Sequence, residues 1–400
     1  MSRAVRSAFV SAAVIFAATF SSSLFAQRPD RSNGQTIFRF DTFGDEQLWT
    51  DVLRMHEVIA TVSPRTALSV GLRVDAAALP ASVADALRND QVNLDDPAVT
   101  LELLRLNAVV GIIGKIDDTG RLVSVGTTCA LCHSTVDNSL ASGIGIRLDG
   151  WPNRTLDAGV ILGLSPALAA FKDEFAAWGP GKYDPRHHAF DGTGLRLLNE
   201  PSEPVLIPPA YGLQGVGFET YTGDGPISYW NAYVGISQMG GQGNFSDSRI
   251  GLTITQKPDR ITSKLPALRD YQLSLLAPIA PAGSFDAAAA RRGERVFHGK
   301  AGCASCHIPP TYTDVSSGPN PDVPVLHDAT AVGSDPVYAS RSATKQYRAT
   351  PLRGAWQHPP YFHDGSAATL LAVVDHYDEL FRLNLSAQQK ADLVEFLKSL

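Results

Sequence analysis

The sequence predicts a mainly α-helical protein made of two domains with long loops and one small β-hairpin. The first observation is that segments with helical spacing of apolar residues alternate with long stretches rich in glycine and proline. The second is the pattern Cys-x-x-Cys-His, which occurs at 129–133 and again at 303–307. Because these two copies use all 4 cysteines of the 400-residue chain, we expect each domain to form around one copy.

The repeated pattern is typical of covalent haem c attachment, in which two thiols bond to the porphyrin and the adjacent histidine ligates the iron. A redox-active Cys-x-x-Cys pair needs no histidine after it. A four-cysteine zinc site would have to join pairs 171 residues apart (303 − 132). We therefore expect two covalently bound haem c groups, each ligated through iron by its motif histidine. The cofactor-binding residues are Cys129, Cys132, His133, Cys303, Cys306 and His307.

The N-terminus predicts export from the cytoplasm. Arg3 and Arg6 precede an apolar run, Ala8–Phe20, and a serine-rich segment that ends at Ala26, which is the pattern of a signal peptide over residues 1–26. The alternative is an uncleaved membrane anchor, but about 13 apolar residues fall short of the ~20 that span a bilayer. We therefore expect a periplasmic or secreted protein without a membrane span after cleavage, a location that suits haem c attachment.

The charge of the chain limits its partners. The net charge is −6, and it becomes −8 (−6 − 2) when the two arginines of the signal peptide are removed. Because the sequence shows no basic patch, nucleic acid and anionic membranes are not expected as partners. A redox partner protein, such as a small cytochrome or a cupredoxin, is expected instead.

The chain is predicted to divide into an N-terminal haem domain over 27–281 and a C-terminal haem domain over 282–400. In the first domain, residues 27–36 form a polar leader. A hairpin with strands at 108–116 and 121–125 leads directly to the first motif. The spacing of apolar residues predicts the helices of this domain at 43–60, 96–108, 155–163 and 165–177.

Two further segments complete this organisation. Residues 211–247 are rich in glycine and aromatic side chains, and we expect a long loop there that covers a haem. In the C-terminal domain, a helix at 285–297 leads into the second motif, and Ser386 with Gln389 forms a capping box at the start of the last helix. This order of helix, motif, loop and helix is the layout of a cytochrome c domain.

The C-terminal part resembles the bacterial dihaem cytochrome c peroxidase superfamily. The resemblance lies in Ala-Thr-Pro-Leu-Arg-Gly at 349–354, in Pro-Tyr-Phe-His-Asp-Gly-Ser at 360–366, and in Thr369 and Leu370. It covers 285–400, whereas the earlier part of the chain looks more similar to the dihaem rubber-oxygenase branch. The resemblance implies two cytochrome c-like domains packed face to face, in which one haem relays electrons and the other meets peroxide or dioxygen. It also allows a calcium ion between the domains.

The chain departs from many of these peroxidases at the sixth iron ligand of the second haem. Many of them use a methionine that follows the segment just quoted, but the methionines here are Met1, Met55 and Met239, and none lies after the second motif. His376 is the first choice for this ligand and Tyr377 the second, and the remaining candidates are His327, His358 and His363. Without methionine, the reduction potential of this haem is expected to be lower.

The far ligand of the first haem stays open between His187, His188, Met239, water and no ligand. The turn-rich loop around the two histidines favours exposed positions for both. Phe218, Tyr229 and Trp230 are candidates for lining the haem pocket, although core packing is favoured for each of them. Asp173 and Glu174 are candidates for proton transfer, although a surface position is favoured for both. An open first haem would be the catalytic site, by the same resemblance.

These observations predict an exported dihaem c-type cytochrome that transfers electrons. The leading expectation is a haem oxidoreductase with peroxidase-like chemistry at the first haem and electron relay through the second. One alternative is a non-catalytic electron carrier, in which both irons have six ligands. The other is a dioxygen-dependent oxygenase of an apolar substrate, which would need an apolar channel to the first haem.

Overall fold

The computed structural model describes residues 31–197 and 202–400. The predicted signal peptide at 1–26 lies outside the described residues. About 40% of the chain is helical and the sheets are small, which confirms the expectation of a mainly α-helical protein. In the described part, no helix has the length and apolar character needed to cross a membrane.

The α-helices of the described residues are short in the N-terminal part and longer near the C-terminus. They are α1 Arg31–Phe40, α2 Met55–Ile59, α3 Pro64–Ser69, α4 Ala81–Arg88, α5 Pro97–Arg105, α6 Ala130–His133, α7 Ala158–Gly163, α8 Lys172–Ala176, α9 Ile227–Tyr233, α10 Leu265–Ser274, α11 Ala287–His298, α12 Pro336–Ser340, α13 Leu370–Phe381 and α14 Ala387–Ser399. Two π-helical turns cover Gln47–Val52 and Val234–Gln238.

The strands form two-stranded sheets in the described part of the chain. They are β1 Val74–Asp75, β2 Ile112–Ile116, β3 Leu122–Thr127, β4 Ser134–Val136, β5 Ile144–Gly145, β6 Arg147–Asp149, β7 Lys182–Tyr183, β8 His188–Phe190, β9 Leu195–Leu197, β10 Val205–Leu206, β11 Asn244–Asp247 and β12 Leu252–Thr255. β1 and β5 are parallel, and the other pairs, β2–β3, β4–β6, β7–β10, β8–β9 and β11–β12, are antiparallel. The predicted hairpin before the first motif is therefore confirmed as β2–β3.

Three predicted segments differ from the structure. The helix expected over 43–60 is interrupted, because Arg54 has a left-handed backbone (φ 55°) between the π-helical turn and α2. The leader predicted at 27–36 contains the start of α1. The loop predicted over 211–247 contains α9, whose Ile227 and Tyr233 are buried together with Ile236. The high glycine content of this segment hides the helical spacing of these three residues.

The C-terminal helices pack closely and confirm two of the predicted helices. α11 crosses α14 at Gly293, where an added Cβ atom would lie 2.0 Å from the carbonyl oxygen of Asp392. The rings of Phe297 and Phe396 meet edge to face at 5.1 Å beside this crossing. The capping box of Ser386 and Gln389 is present at the start of α14. The division of the chain at residues 281 and 282 stays a prediction.

Candidate functional site

The first motif is held by backbone hydrogen bonds from a neighbouring segment. α6 carries the motif and follows the hairpin β2–β3 after one turn. The Gly150 N–H donates to the His133 carbonyl (2.8 Å), and the Asn153 N–H donates to the Cys132 carbonyl (2.9 Å). Ala210 in turn donates to the Gly150 carbonyl (2.8 Å), which brings the segment after β10 alongside the motif.

The imidazole of His133 is oriented for metal ligation. Its Nδ1 lies 3.1 Å from the carbonyl oxygen of Pro208. A carbonyl can only accept, so Nδ1 carries the proton and Nε2 keeps its lone pair. Burial lowers the pKa of His133 to about 4, and the nearby Arg154 acts in the same direction. The ring is therefore neutral at physiological pH, as an iron ligand must be.

The second motif repeats this arrangement in a different local fold. Cys303–Ser305 forms a short 3₁₀ turn, and His307 follows two residues after its end. The His307 Nδ1 lies 3.0 Å from the carbonyl oxygen of Tyr312, and burial lowers the pKa of His307. Each motif histidine thus presents Nε2 with its lone pair, although the two supporting carbonyls come from unrelated segments.

The four thiols are unpaired and lie in poorly solvated surroundings. Burial raises the pKa of Cys129 and Cys132 to about 12 and that of Cys303 to about 11. Redox-active Cys-x-x-Cys pairs show the opposite shift, because they need a thiolate. Two thiols beside an imidazole with a free Nε2 are the donor set of haem c, so the residues at both motifs fit this group.

Tyr377 on α13 has both cysteines of the second motif among its electrostatic neighbours. Burial raises the pKa of Tyr377 to about 12, and the charges of Cys306 and Cys303 contribute to the shift. Tyr377 lies three residues after the buried Val374, on the same side of α13, and both Tyr377 and His376 are half-buried. The His376 Nε2 lies 3.4 Å from the carbonyl oxygen of Val332. The choice between His376 and Tyr377 as iron ligand stays a prediction.

The other histidines of the C-terminal part have polar partners. The His327 Nε2 lies 2.9 Å from Asp314, and the His363 Nε2 lies 3.1 Å from the Tyr347 hydroxyl. Arg154 donates to the His358 carbonyl (3.2 Å). Cys306, Asp314 and His327 place ligand atoms within 4.8 Å of one another. This combination of sulfur, nitrogen and one carboxylate does not suit calcium, which binds through oxygen atoms.

A buried polar network of Tyr183, His188 and Gln238 borders Cys132. Burial is the main cause of the raised pKa of Tyr183, and the nearby Cys132 adds to the shift. Gln238 donates through Nε2 to the His188 carbonyl (2.8 Å) and to Ser237 (3.1 Å). Its Oε1 therefore accepts the single proton of the Tyr183 hydroxyl (3.1 Å). It follows that the His188 Nε2–H donates to the Tyr183 oxygen (2.9 Å), which leaves Nδ1 as an unpartnered acceptor.

His187 is buried beside this network. The exposed positions predicted for both histidines are wrong, because His187 is 3% and His188 2% exposed. Neither ring nitrogen of His187 has a hydrogen-bond partner, and its ring packs edge to face on Phe175 (5.4 Å) and Trp178 (5.9 Å). These aromatic contacts come from α8 and from the turn after it. The Nε2 of His187 lies 3.7 Å from Glu174.

The remaining candidates for the first motif have less specific surroundings. Met239 packs in the same apolar cluster as Cys129, with Trp230 and Tyr229 nearby. The carbonyl of Met239 accepts from the Trp49 indole (3.0 Å). Asp173 is exposed on α8, as expected for a surface residue.

Sequence reasoning missed Tyr183, Gln238, Asp45 and Arg154. Asp45 is fully buried near Cys129 and accepts from the Thr127 N–H (2.9 Å) and hydroxyl (2.6 Å). None of these four residues lies in a motif, and they approach the motifs only through the fold. Tyr377, in contrast, had a signal in the sequence, because its spacing from Leu370 and Val374 follows one helical face.

Two tryptophans connect the surroundings of the two motifs. Trp151 belongs to the segment that is hydrogen bonded to the first motif, and Trp356 lies in a 3₁₀ turn between the second motif and α13. Their rings meet edge to face with centroids 6.1 Å apart. The Tyr211 hydroxyl donates to the Gly354 carbonyl (3.0 Å), so the same region is also tied by a hydrogen bond.

Comparison with known proteins gives partial matches. No protein-family model matches the chain. The methylamine utilization protein MauG of Methylorubrum extorquens is 32% identical over 162 residues, which cover 34% of this chain and 42% of that protein. The cytochrome-c peroxidase IdrP2 of Denitromonas iodatirespirans is 32% identical over 145 residues, which cover 27% of this chain and 38% of that protein. A solved MauG-like protein associated with microbial copper homeostasis is 24% identical with a TM-score of 0.29, over 36% of this chain and 54% of that one.

The curated relatives MauG and IdrP2 confirm the resemblance to the dihaem cytochrome c peroxidase superfamily. The chain spans less than half the length of the curated relatives it matches. A MauG protein of Methylophilus methylotrophus is also similar, with 29% identity over 163 residues that cover 34% of this chain and 45% of that protein. The relatives thus support haem c as a cofactor and redox chemistry in general terms.

Proposed function

We propose that the protein is an exported haem oxidoreductase that binds one haem c covalently at each motif and has peroxidase-like activity. The observation that carries this proposal is shared by both motifs: His133 and His307 each donate Nδ1–H to a carbonyl and keep Nε2 for iron. The similarity to proteins named MauG and cytochrome-c peroxidase favours redox chemistry. Bound haem would supply one-electron transfer and, at an iron with an open position, reactivity toward peroxide.

At the second motif, Tyr377 is proposed as the far iron ligand in place of His376. Tyr377 follows the buried Val374 by three residues on α13 and has both motif cysteines among its electrostatic neighbours. Burial raises the pKa of the free phenol, and a bound ferric ion would take the place of the proton and remove that cost. Ligation by an oxygen rather than by a methionine sulfur favours the ferric state, so this site suits electron relay at a lower potential.

Trp151 and Trp356 are proposed to carry electrons between the two motif sites. Each tryptophan comes from a segment close to a different motif, and their rings are in edge-to-face contact. The backbone bonds of Gly150 and Asn153 to the first motif hold Trp151 in this position. The two rings therefore give a direct aromatic connection between the two halves of the chain.

At the first motif, His187 is proposed to take up and release a proton in the peroxide chemistry that a bound haem would supply. A general acid or base must have an atom free to take up or release a proton, and both ring nitrogens of His187 lack a partner. His188 has a different role, because its Nε2–H is engaged by Tyr183 and its carbonyl by Gln238. Burial lowers the pKa of His188 to about 4, so this residue stays neutral and holds the network in place.

The two unpartnered ring nitrogens of His187 also support one competing function. A buried imidazole with two free nitrogens can also ligate iron. If His187 capped the first iron, both irons would have six ligands and the protein would be an electron carrier. Export and a cytochrome or cupredoxin partner are part of the proposal on the grounds of the sequence.

Low-temperature electron paramagnetic resonance of the purified holoprotein tests the proposal. We expect a high-spin ferric signal from one haem and a low-spin signal from the other in the fully oxidised or half-reduced protein. Two low-spin signals in both states would favour the electron carrier. A protein isolated without covalently bound haem, as judged by its intact mass, would contradict the proposal altogether.

A further inference from the structure

A buried arginine lacks partners near the junction of the two halves. Arg348 is 8% exposed, and its Nε and Nη1 atoms have no hydrogen-bond partner. Glu219 is 6% exposed and interacts with Arg348 through space, but the Oε2 of Glu219 is also unpartnered. Arg348 and Glu219 are therefore electrostatic neighbours without a hydrogen-bonded ion pair in the described part of the chain.

This arrangement is costly unless a ligand completes it. A buried guanidinium loses its hydration, and each N–H that finds no acceptor adds to the free-energy cost of folding. Burial lowers the pKa of Arg348 to about 10, so the side chain still carries its charge at neutral pH. The planar fork of Nε and Nη atoms matches the two oxygens of a carboxylate.

The position of Arg348 relates it to the second motif. The next residue, Ala349, accepts from the Thr313 hydroxyl through its carbonyl (2.5 Å). Thr313 follows Tyr312, whose carbonyl orients His307. Arg348 is thus anchored one residue away from the loop that holds the motif histidine.

A second arginine has the same relationship to the first motif. Arg154 donates through Nη1 to the Ile207 carbonyl (2.8 Å), next to Pro208, whose carbonyl orients His133. The Nε of Arg154 is buried and unpartnered. Tyr221 has both arginines among its electrostatic neighbours and accepts from the Arg348 N–H through its own carbonyl (2.9 Å). The two guanidinium groups and the phenol of Tyr221 therefore lie in one region between the motifs.

We propose that Arg348, together with the Tyr221 hydroxyl, binds a carboxylate of the porphyrin at the second motif, namely a haem propionate. This inference rests on the proposed function, which supplies the haem. A soluble organic acid has the same carboxylate chemistry. The propionate is favoured for two reasons. Thioether bonds would hold it permanently beside the protein, and both arginines lie next to the loops that orient the motif histidines.

Measurement of the two haem potentials in arginine variants tests this site. Loss of a positive charge beside a haem favours the ferric state, so Arg348→Gln is expected to shift the reduction equilibrium of one haem about tenfold toward the oxidised form. Arg348→Lys keeps the charge but not the fork, and we expect a smaller shift. Arg353→Gln removes the same charge from an exposed position in the same segment and serves as the matched control.

The readouts separate the failure of this inference from that of the proposed function. Intact mass first establishes whether wild type and variants carry two haems; a wild type without them contradicts the proposed function. With two haems present, equal potentials in wild type, Arg348→Gln and Arg348→Lys would overturn the propionate site. Potentials are also measured as acetate is added. A wild-type potential that depends on acetate, with no such dependence in Arg348→Gln, would assign the site to a soluble carboxylate and overturn the propionate.

Discussion

The indole rings of Trp151 and Trp356 lie edge to face with their centroids 6.1 Å apart. They come from distant parts of the chain, and each belongs to a segment near a different Cys-x-x-Cys-His motif. The hydrogen bonds of Gly150 and Asn153 to the first motif fix one ring, and the bond from the Trp356 indole to the Pro278 carbonyl (3.2 Å) fixes the other. This contact therefore connects the two motif regions directly.

Replacement of either tryptophan should slow electron transfer between the haems. Trp151→Phe and Trp356→Phe keep an aromatic ring but lose the larger indole and part of the contact, so we expect a rate that is several-fold lower. The measurement is the rate of electron redistribution after rapid reduction of one haem. Trp178→Phe, which removes a tryptophan outside this contact, is the control, and an unchanged rate in both test variants would rule out this path.

Tyr377 should control the spin state of the second haem. Tyr377→Phe removes the proposed ligand oxygen with little change in volume, so a low-spin signal of the oxidised protein should be replaced by a high-spin one. His376→Ala should leave this signal unchanged, because His376 points to the Val332 carbonyl. A spin change in His376→Ala but not in Tyr377→Phe would restore the ligand first expected from the sequence.

His187 should affect peroxide turnover without affecting the iron ligands. General acid–base groups contribute about 10²- to 10⁴-fold to rates, so His187→Ala should lower kcat for peroxide reduction by a factor in this range. The spin state of both haems should stay the same. His298→Ala removes an exposed histidine and is the control. A high-spin signal that arises only in His187→Ala would mean that this residue ligates iron and that the protein is an electron carrier.

Glu219 should make stability depend on pH. Burial raises the pKa of Glu219 to about 7, above its ordinary value of 4.5, although Arg348 acts in the opposite direction. A raised pKa means that the folded state holds the proton more tightly. The stabilisation of the folded state by this proton is therefore full below about pH 4.5 and is lost as the pH rises through about 7. The free energy of unfolding should fall by up to about 3 kcal/mol over this range.

The check is chemical denaturation of wild type and Glu219→Gln between pH 4 and 8. The amide cannot ionise, so the variant should lose this part of the pH dependence and be relatively more stable at pH 8. Glu395→Gln changes a carboxylate whose pKa is lowered rather than raised, and it should not flatten the curve. Identical pH profiles for wild type and Glu219→Gln would show that folding leaves the pKa of Glu219 unchanged.

The crossing of α11 and α14 should not tolerate a side chain at Gly293. A Cβ atom there would lie 2.0 Å from the Asp392 carbonyl oxygen, so Gly293→Ala must push the helices apart. We expect a loss of about 1–3 kcal/mol in the free energy of unfolding, measured by denaturant titration. Gly194→Ala, where an added Cβ meets nothing within 4 Å, is the control. Equal stability of both variants would contradict this packing.

The amino-acid sequence by itself determined the features that depend on neighbouring residues. The two Cys-x-x-Cys-His motifs, the β2–β3 hairpin, α11 and the capping box of α14 all follow from spacing within a short segment. The resemblance to the dihaem peroxidases also rested on short motifs. The interruption at Arg54 and the helix Ile227–Tyr233 escaped prediction. The first depends on a left-handed backbone at one residue, and the second lies in a glycine-rich segment whose composition favours a loop.

The tertiary structure alone decided what surrounds each motif. Pro208 lies 75 residues from His133 in the chain, yet its carbonyl selects the tautomer of that histidine. The burial of His187, the network of Tyr183 and Gln238, and the unpartnered nitrogens of Arg348 likewise arise from segments that meet only in the folded chain. Hydrogen bonding and desolvation act over a few ångströms in space, whatever the separation in sequence, and for this reason these properties cannot be read from local patterns.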